Sequence, residues 1–257
     1  MTHSVTEALV STWFDAWARS RGYETRSQGR VRSALRTSRP AHMIPGGSGR
    51  AKVDIPAAWE HVMVEPAAEE LEPVLAELAE NPEQMVTVFG EASADLEGSG
   101  LTALVDTERL MVIEMDVETI DVEPPLLPDG YEAQVDSPVE GSRRLRILAT
   151  GASTAPEGEN ELAAMGWVTF ENGTAVFDRI WTSPQHRRRG LGALVMRYLT
   201  SEAVADGEIS EGLLVASPDG QMLYGHLGWT DLGPVSIWSK STDETRPSPE
   251  HTGTMGR

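Results

Sequence analysis

The strongest constraint on the fold comes from one stretch in the second half of the chain, where a hairpin, a glycine turn and a helix follow one another. Residues 164–170 and 174–182 are apolar runs joined by Glu171-Asn172-Gly173, and Asn-Gly is the strongest short hairpin signal. After Ser183-Pro184 comes the sequence QHRRRGLGALV, residues 185–195. From Leu191 onward, apolar residues recur at the spacing of a helix with one buried face. This order of elements predicts an α/β fold.

The turn itself has the features of an anion site. The first amides of a helix have no partner within the helix, and the helix dipole favours negative charge at that end. Gly190 and Gly192 would let a ligand approach the backbone closely. Three consecutive arginines, residues 187–189, precede them in a chain whose formal net charge is 21 − 40 = −19. The pattern therefore indicates a phosphate-bearing ligand.

Three such ligands compete for this turn. A nucleoside triphosphate is disfavoured because Ala193 and Leu194 stand where the Walker pattern has lysine and a hydroxyl residue. A dinucleotide is disfavoured because Val195 occupies the third glycine position of its fingerprint, which requires close helix packing. Coenzyme A, with its pyrophosphate, is the remaining candidate.

Two motifs in the right order resemble the GNAT acetyltransferase superfamily. Arg187-x-x-Gly190-x-Gly192 matches the R/Q-x-x-G-x-G/A signature of that family. About 30 residues later, ASPDGQMLYGHLGW, residues 216–229, is similar to its second signature, in which a tyrosine precedes a Leu-Gly-aromatic turn. The resemblance covers roughly residues 126–240.

The resemblance implies the GNAT fold, a mixed central sheet with a splayed strand pair and flanking helices. It also implies acetyl-CoA, or another acyl-CoA, as co-substrate. The pantetheine arm would pair with the backbone of residues 180–182, and the amides of residues 188–193 would hold the pyrophosphate. Ser217 stands where many members carry asparagine. The cofactor-binding residues predicted in this way are Ile180, Trp181, Thr182, Arg187, Arg188, Arg189, Gly190, Leu191, Gly192, Ala193 and Ser217.

Acyl transfer to an amine needs a proton for the departing thiolate and a neutral amine. Tyr224 is the predicted general acid, because a phenol of pKa about 10 can protonate a thiolate of pKa about 8.5 with modest help. Asp178 is the candidate base, acting through water, and Arg179 is expected on the opposite face of the strand. Glu171, Glu161 and His226 are less favoured bases, and His186 is expected at the surface of the turn.

The chain divides at a proline-rich stretch, residues 121–130. Residues 126–240 form the predicted catalytic domain, and residues 241–257, rich in Ser, Thr, Pro and Glu, a predicted disordered tail. GNAT proteins usually place two helices between their first and second strands, whereas only residues 136–144 separate the candidates here. Residues 1–125 are interpreted as an α/β region, a degenerate GNAT-like unit, that supplies the missing cover.

The amino-acid composition argues against several kinds of chemistry and several classes of partner. Without cysteine there is no thiol nucleophile or thiolate-bound metal, and no His, Asp and Glu cluster predicts another metal site. A pI near 4.6 argues against nucleic acid and anionic membranes as partners. With no apolar run of about 20 residues and no signal-peptide pattern, we expect a cytoplasmic protein.

These observations predict an N-acetyltransferase that acts on a small-molecule amine by direct attack. A protein acetyltransferase and a non-catalytic CoA-binding regulatory module are the alternatives. The sequence leaves the oligomeric state open, with a dimer among the possibilities.

Overall fold

The computed structural model describes residues 4–40, 52–116, 123–150, 160–205 and 208–240. The predicted disordered tail lies outside these residues. So do residues 44–49 and nearly all of residues 151–160, whose composition predicts loops. The helices are α1 Glu7–Arg21, α2 Ala68–Glu80, α3 Leu191–Ala205 and α4 Pro218–His226. The strands are β1 Thr25–Gln28, β2 Val31–Pro40, β3 Lys52–Val64, β4 Met85–Phe89, β5 Leu101–Glu114, β6 Tyr131–Asp136, β7 Ser142–Ala149, β8 Glu161–Glu171, β9 Thr174–Thr182, β10 Glu211–Ala216 and β11 Thr230–Lys240.

All eleven strands join one mixed sheet in the order β1-β2-β3-β4-β11-β5-β10-β9-β8-β7-β6. The pattern of strand pairing is similar from both edges of the sheet inward. Two antiparallel pairs in the N-terminal half, and three in the C-terminal half, precede a parallel pair, β3–β4 or β9–β10, whose crossover contains α2 or α3. We call strands β1–β5 with α2 the N-terminal unit, and strands β7–β11 with α3 the C-terminal unit.

The two units exchange their last strands at the centre of the sheet. Strand β11 pairs with β4 of the N-terminal unit, and β5 pairs with β10 of the C-terminal unit, both antiparallel. The exchanged strands also pair with each other. The sheet is therefore continuous across the predicted boundary at 121–130.

Helix α1 lies on one face of this sheet, while α2, α3 and α4 lie on the other. Thr6 caps the first turn of α1, with the Leu9 amide 3.3 Å from Thr6 Oγ1. Gly22 ends α1 in a left-handed conformation at φ 65°. Its aromatic face packs with residues of both units, including Val62 and Val176. The helix contacts β8 and β9 directly, where the short β6–β7 connection leaves that face of the C-terminal unit without a helix of its own.

The opposite face holds the core of the C-terminal unit. Helix α3 packs on β7, β8 and β9 with the face predicted from the spacing after Leu191. Its fully buried residues include Val195 and Leu199. Helix α2 covers the N-terminal unit with Leu71, Val74 and Leu78, and it continues through Pro73 rather than breaking there.

Candidate functional site

The parallel pair of the C-terminal unit separates halfway along its length. Strands β9 and β10 are paired from Thr174 opposite Glu211 to Phe177 opposite Leu214. Beyond that point β9 continues to Thr182 beside β8 alone, and β10 continues to Ala216 beside β5 alone. A slot therefore opens between the two strands, and one backbone edge of residues 178–182 faces it without a strand partner among the described residues.

A β-bulge in β9 lies at the start of this slot. Met165 is opposite Trp181, but Trp167 is opposite Asp178, so two residues, 179 and 180, stand opposite Gly166 alone. Arg179 has a left-handed backbone at φ 54°, which is uncommon for a residue with a side chain. Gly166 makes room for the bulge, because a Cβ there would lie 2.7 Å from Ile180 Cδ1 and 2.6 Å from Val195 Cγ1.

The predicted anion turn lies at the end of β9. A short 3₁₀ turn, Pro184–His186, leads to exposed Arg187, Arg188 and Arg189. Arg188 and Gly190 both have positive φ, at 61° and 77°. The first backbone hydrogen bond into α3 runs from Leu194 N to Gly190 O, 3.0 Å. The amides of residues 191–193 therefore precede the first bond of the helix and have no helical carbonyl to donate to.

The two sequence motifs meet at Gly192. A Cβ at this position would lie 3.3 Å from Leu223 Cδ2 in α4 and 3.7 Å from Thr182 Oγ1 at the end of β9. Gly192 thus brings the start of α3, the end of the slot and helix α4 together. The residues predicted to hold the cofactor, from Ile180 to Ala193 with Ser217 at the N-cap of α4, border one region of the fold.

A hydrogen-bonded cluster lies between β6 and the turn that contains Arg187, Arg188 and Arg189. His186 Nδ1 is 3.0 Å from the Tyr131 hydroxyl, and Arg189 Nη1 is 3.0 Å from the same oxygen. His186 Nε2 is 3.5 Å from Glu161 Oε1. His186 is 7% exposed, so its expected surface position is wrong. The 3₁₀ turn rotates the imidazole inward toward β6, which periodicity could not show.

Tyr224 lies in α4, is buried, and packs 6.1 Å from the ring of Trp229. Its ring extends back toward the first turn of the helix, because a Cβ on Gly220 would lie 2.8 Å from Tyr224 Cε2 and 3.4 Å from Cζ. The phenol is therefore directed to the end of α4 that follows β10 and the slot.

Asp178 lies on the α1 side of the sheet in a buried ionic cluster. Its carboxylate pairs with the Arg21 guanidinium and accepts from the Arg179 amide at 2.8 Å. Burial would raise the pKa of Asp178, but the charge and hydrogen bond of Arg21 lower it overall. A carboxylate with a lowered pKa is a weaker base.

Arg179 does not point away from Asp178 as the simple alternation of a strand predicts. Its Nε is 3.4 Å from Asp178 Oδ2, and its Nη2 donates to Ser20 O at the end of α1, 3.0 Å. The bulge between Asp178 and Ile180 removes the alternation, so both side chains lie on the α1 face. Burial lowers the pKa of Arg179 to about 10, and its guanidinium lies 3.6 Å from the centre of the Trp167 ring.

The less favoured bases lie elsewhere. Glu171 pairs with Arg19 of α1 at 2.6 Å, Glu161 faces His186, and His226 Nδ1 bonds to Met222 O at 2.6 Å.

The sequence analysis did not identify Gly166, Arg21 or Tyr131 as residues that shape the site. An isolated glycine within a strand pattern signals a bulge, so Gly166 had a detectable signal, whereas the contacts of Arg21 and Tyr131 span distant parts of the chain.

The matching turn of the N-terminal unit is built differently. Strands β3 and β4 stay paired to their last residues, Val64 opposite Phe89, so no slot opens between them. The turn after β3 is Glu65-Pro66-Ala67, and the Glu70 carboxylate accepts from the Ala67 amide at 3.0 Å. Acidic residues and a side-chain cap therefore occupy the position that arginines and free amides hold after β9.

A cavity of about 340 Å³ lies in the N-terminal unit, between the β1–β2 hairpin, β3 and α2. Buried His61 borders it, with Nδ1 3.0 Å from Ser33 Oγ and Nε2 3.0 Å from Gln84 Oε1. Burial lowers the pKa of His61. Both ring nitrogens of His61 thus have partners within the core. The cavity is also remote from the slot, because four strands separate β3 from β9 in the sheet.

Within the described residues, no group of three or more His, Asp and Glu side chains is arranged to hold a metal ion. None of the helices in those same ranges is long and apolar enough to cross a membrane.

A slot between splayed strands, followed by a strand-to-helix turn with free amides and arginines, is the arrangement expected of a GNAT-type α/β fold. Residues 126–228 match the family model for the GNAT acetyltransferases. This part of the chain is therefore a GNAT acetyltransferase domain.

Solved structures of GNAT proteins have a similar fold over 81% to 94% of this chain. A GCN5-related N-acetyltransferase from Kribbella flavida is 16% identical, with a TM-score of 0.59 over 94% of this chain and 98% of that one. A GCN5-related N-acetyltransferase from Sphaerobacter thermophilus is 13% identical, with a TM-score of 0.52 over 81% of this chain and 75% of that one. A tandem GNAT protein from the clavulanic acid biosynthesis pathway is 12% identical, with a TM-score of 0.50 over 93% and 97%. The search of curated proteins found no match.

Proposed function

We propose that the protein transfers an acetyl group from acetyl-CoA to a small-molecule amine, in the cytoplasm and without a metal ion. The observation that carries this proposal is the slot between β9 and β10 ending at the glycine turn. The amides of residues 188–193 would hold the pyrophosphate, with Arg187 and Arg189 adding charge. The unpartnered edge of residues 180–182 would bind the amide groups of the pantetheine arm, as a strand binds an added strand.

In this proposal the amine nitrogen attacks the thioester carbon directly, and the carbon–sulfur bond breaks. Tyr224 gives its hydroxyl proton to the departing thiolate, and water takes the proton that the amine loses. The ion pair of Asp178 with Arg21 reduces its basicity, so we leave the proton to solvent rather than to Asp178.

We also propose that the N-terminal unit is a degenerate GNAT-like unit. The repeated strand order and the matching crossovers through α2 and α3 support this, as does the fold similarity to a tandem GNAT protein. Its closed strand pair and acidic turn support acyl-CoA binding in the C-terminal unit alone.

The test measures acetyl-CoA binding by calorimetry and the release of free CoA with a panel of amines and peptides. We expect binding by the wild type and its loss in Gly192→Asp, which places a carboxylate among the amides, whereas Gly225→Ala, in open space on α4, binds normally. Turnover with amines supports the proposal, and turnover with peptides alone would favour a protein acetyltransferase. Binding without any turnover would favour a regulatory module, and no binding would refute the proposed function.

A further inference from the structure

The bulge that opens the acyl-CoA slot is not held by the C-terminal unit alone. Arg179 adopts a left-handed backbone, and its guanidinium donates to the last turn of α1 at Ser20 O, 3.0 Å. Asp178 accepts from the Arg179 amide at 2.8 Å, which fixes the backbone at the bulge. A side chain from 157 residues earlier, Arg21, in turn pairs with both carboxylate oxygens of Asp178.

The contacts of Asp178 with Arg21 and with the Arg179 amide restrict the backbone at the bulge. The Arg21 and Asp178 side chains are largely buried, at 16% and 22% exposed. A buried charge that loses its partner is strongly unfavourable, so the pair restricts where Asp178 can lie. Because the Asp178 carboxylate also binds the amide of the next residue, restricting it restricts the peptide that begins the bulge.

We infer that Arg21 is a positioning residue for acyl transfer, and that helix α1 thereby controls the acyl-CoA slot from outside the GNAT domain. Arg21 orients Asp178, Asp178 holds the Arg179 amide, and the backbone of residues 180–182 is kept in place for the pantetheine arm. This inference rests on the proposed function. It gives α1 a role beyond covering the open face of β8 and β9.

The chain contains a matched control for this role. Arg19 lies two residues before Arg21 on the same helix and joins the same hairpin, pairing with Glu171 at 2.6 Å and with the carbonyl oxygen of Phe170. That contact lies at the tip of the hairpin, next to Asn172 and Gly173, and not at the bulge. Both pairs tie α1 to the hairpin, but only Arg21 contacts the residue that holds the bulge.

The experiment compares Arg21→Gln with Arg19→Gln by calorimetry, using two probes. Acetyl-CoA needs the slot, whereas adenosine 3′,5′-bisphosphate lacks the pantetheine arm and needs only the nucleotide end of the site. We expect Arg21→Gln to weaken acetyl-CoA binding about tenfold, the equivalent of one to two lost hydrogen bonds, and to leave bisphosphate binding unchanged. Arg19→Gln should change neither affinity, and Arg21→Lys should restore part of the loss.

Equal losses for both probes in Arg21→Gln would show a general structural defect and overturn the inference. Unchanged acetyl-CoA binding would overturn it as well. If Arg21→Gln does not fold, Arg21→Gln/Asp178→Asn removes both partners and leaves no unpaired carboxylate, and the same comparison applies.

Hydrogen exchange provides a readout that does not depend on any ligand. The Arg179 amide, and those amides of residues 178–182 that donate to β8, should exchange about tenfold faster in Arg21→Gln than in the wild type and Arg19→Gln, because the peptide at the bulge is released. Unchanged exchange would overturn the positioning role. Failure of the proposed function is distinct, since it would appear as a wild-type protein that does not bind acetyl-CoA.

Discussion

Replacing Gly166 by alanine tests whether the bulge is built as described. A Cβ at this position would lie 2.6 Å from Val195 Cγ1, 2.7 Å from Ile180 Cδ1 and 2.9 Å from Leu199 Cδ1. All three are closer than side-chain carbons approach one another, and two of them belong to fully buried residues of α3. The methyl group must therefore displace these side chains, one of which, Ile180, lies on the bulge itself.

The magnitude follows from two opposing effects. Overpacking a core costs about 1–3 kcal/mol, and replacing glycine by alanine within a strand recovers about 0.5–1 kcal/mol of conformational entropy. The net loss is between about 0 and 2.5 kcal/mol, which lowers Tm by up to roughly 10 °C for a chain of this size. Acetyl-CoA affinity should fall as well, because Ile180 shifts at the edge of the slot.

The assay is a thermal melt with and without acetyl-CoA, and Gly225→Ala is the control. A Cβ on Gly225 meets no atom within 4 Å, so in the α4 helix alanine should stabilise by about 0.5–1 kcal/mol. If Gly166→Ala melts at or above the wild-type temperature and binds acetyl-CoA normally, the space over Gly166 is not filled by Ile180 and the account of the bulge is wrong.

Three further predictions concern the acid, its support and the buried ion pair. Tyr224→Phe should lower kcat about 100-fold with little change in KM, and equal turnover in steady-state assays would remove Tyr224 as the proton donor. Gly220→Ala should lower kcat although alanine favours helix, because its Cβ would lie 2.8 Å from Tyr224 Cε2; a variant more stable and equally active would show that the ring is free to move. The pKa of Asp178 is lowered in the fold, so the stabilisation it provides is complete above its unfolded pKa of about 3.9 and is lost as pH falls through the folded pKa. Urea unfolding should therefore show a stability gap between wild type and Asp178→Asn at pH 7 that shrinks below about pH 4, and a gap independent of pH would contradict this.

The C-terminal half was predictable because its signals are local. The Asn172-Gly173 hairpin and the helix after Leu191 are both confirmed. Hairpin turns, glycine turns and helical periodicity depend on residues a few positions apart. The GNAT fold expected from the two motifs is confirmed by the family match and the solved structures.

What the sequence did not reveal depends on contacts between distant residues. Strands β2, β3 and β5 extend beyond the apolar runs at residues 31–35, 59–64 and 110–115 that predict strands there. Pairing in a wide sheet stabilises the polar residues that such runs leave out. The pairing of β5 with β10, and of β11 with β4, depends on how the two units pack against each other. Arg21 and Asp178 are 157 residues apart, and the bulge that reverses Arg179 is a property of the strand pair, so alternation predicted the wrong face.

In the proposed function, the amides following β9 hold the pyrophosphate of acyl-CoA. The most direct test is a ¹H–¹⁵N spectrum of the labelled protein, recorded during a titration with acetyl-CoA. We predict that the largest shifts occur at the amides of Gly190, Gly192 and Ala193, and that Glu65 and Ala67 in the turn of the N-terminal unit do not shift. Saturating acetyl-CoA that leaves the amides of residues 188–193 unmoved, or that shifts the turn after β3 instead, would contradict the account.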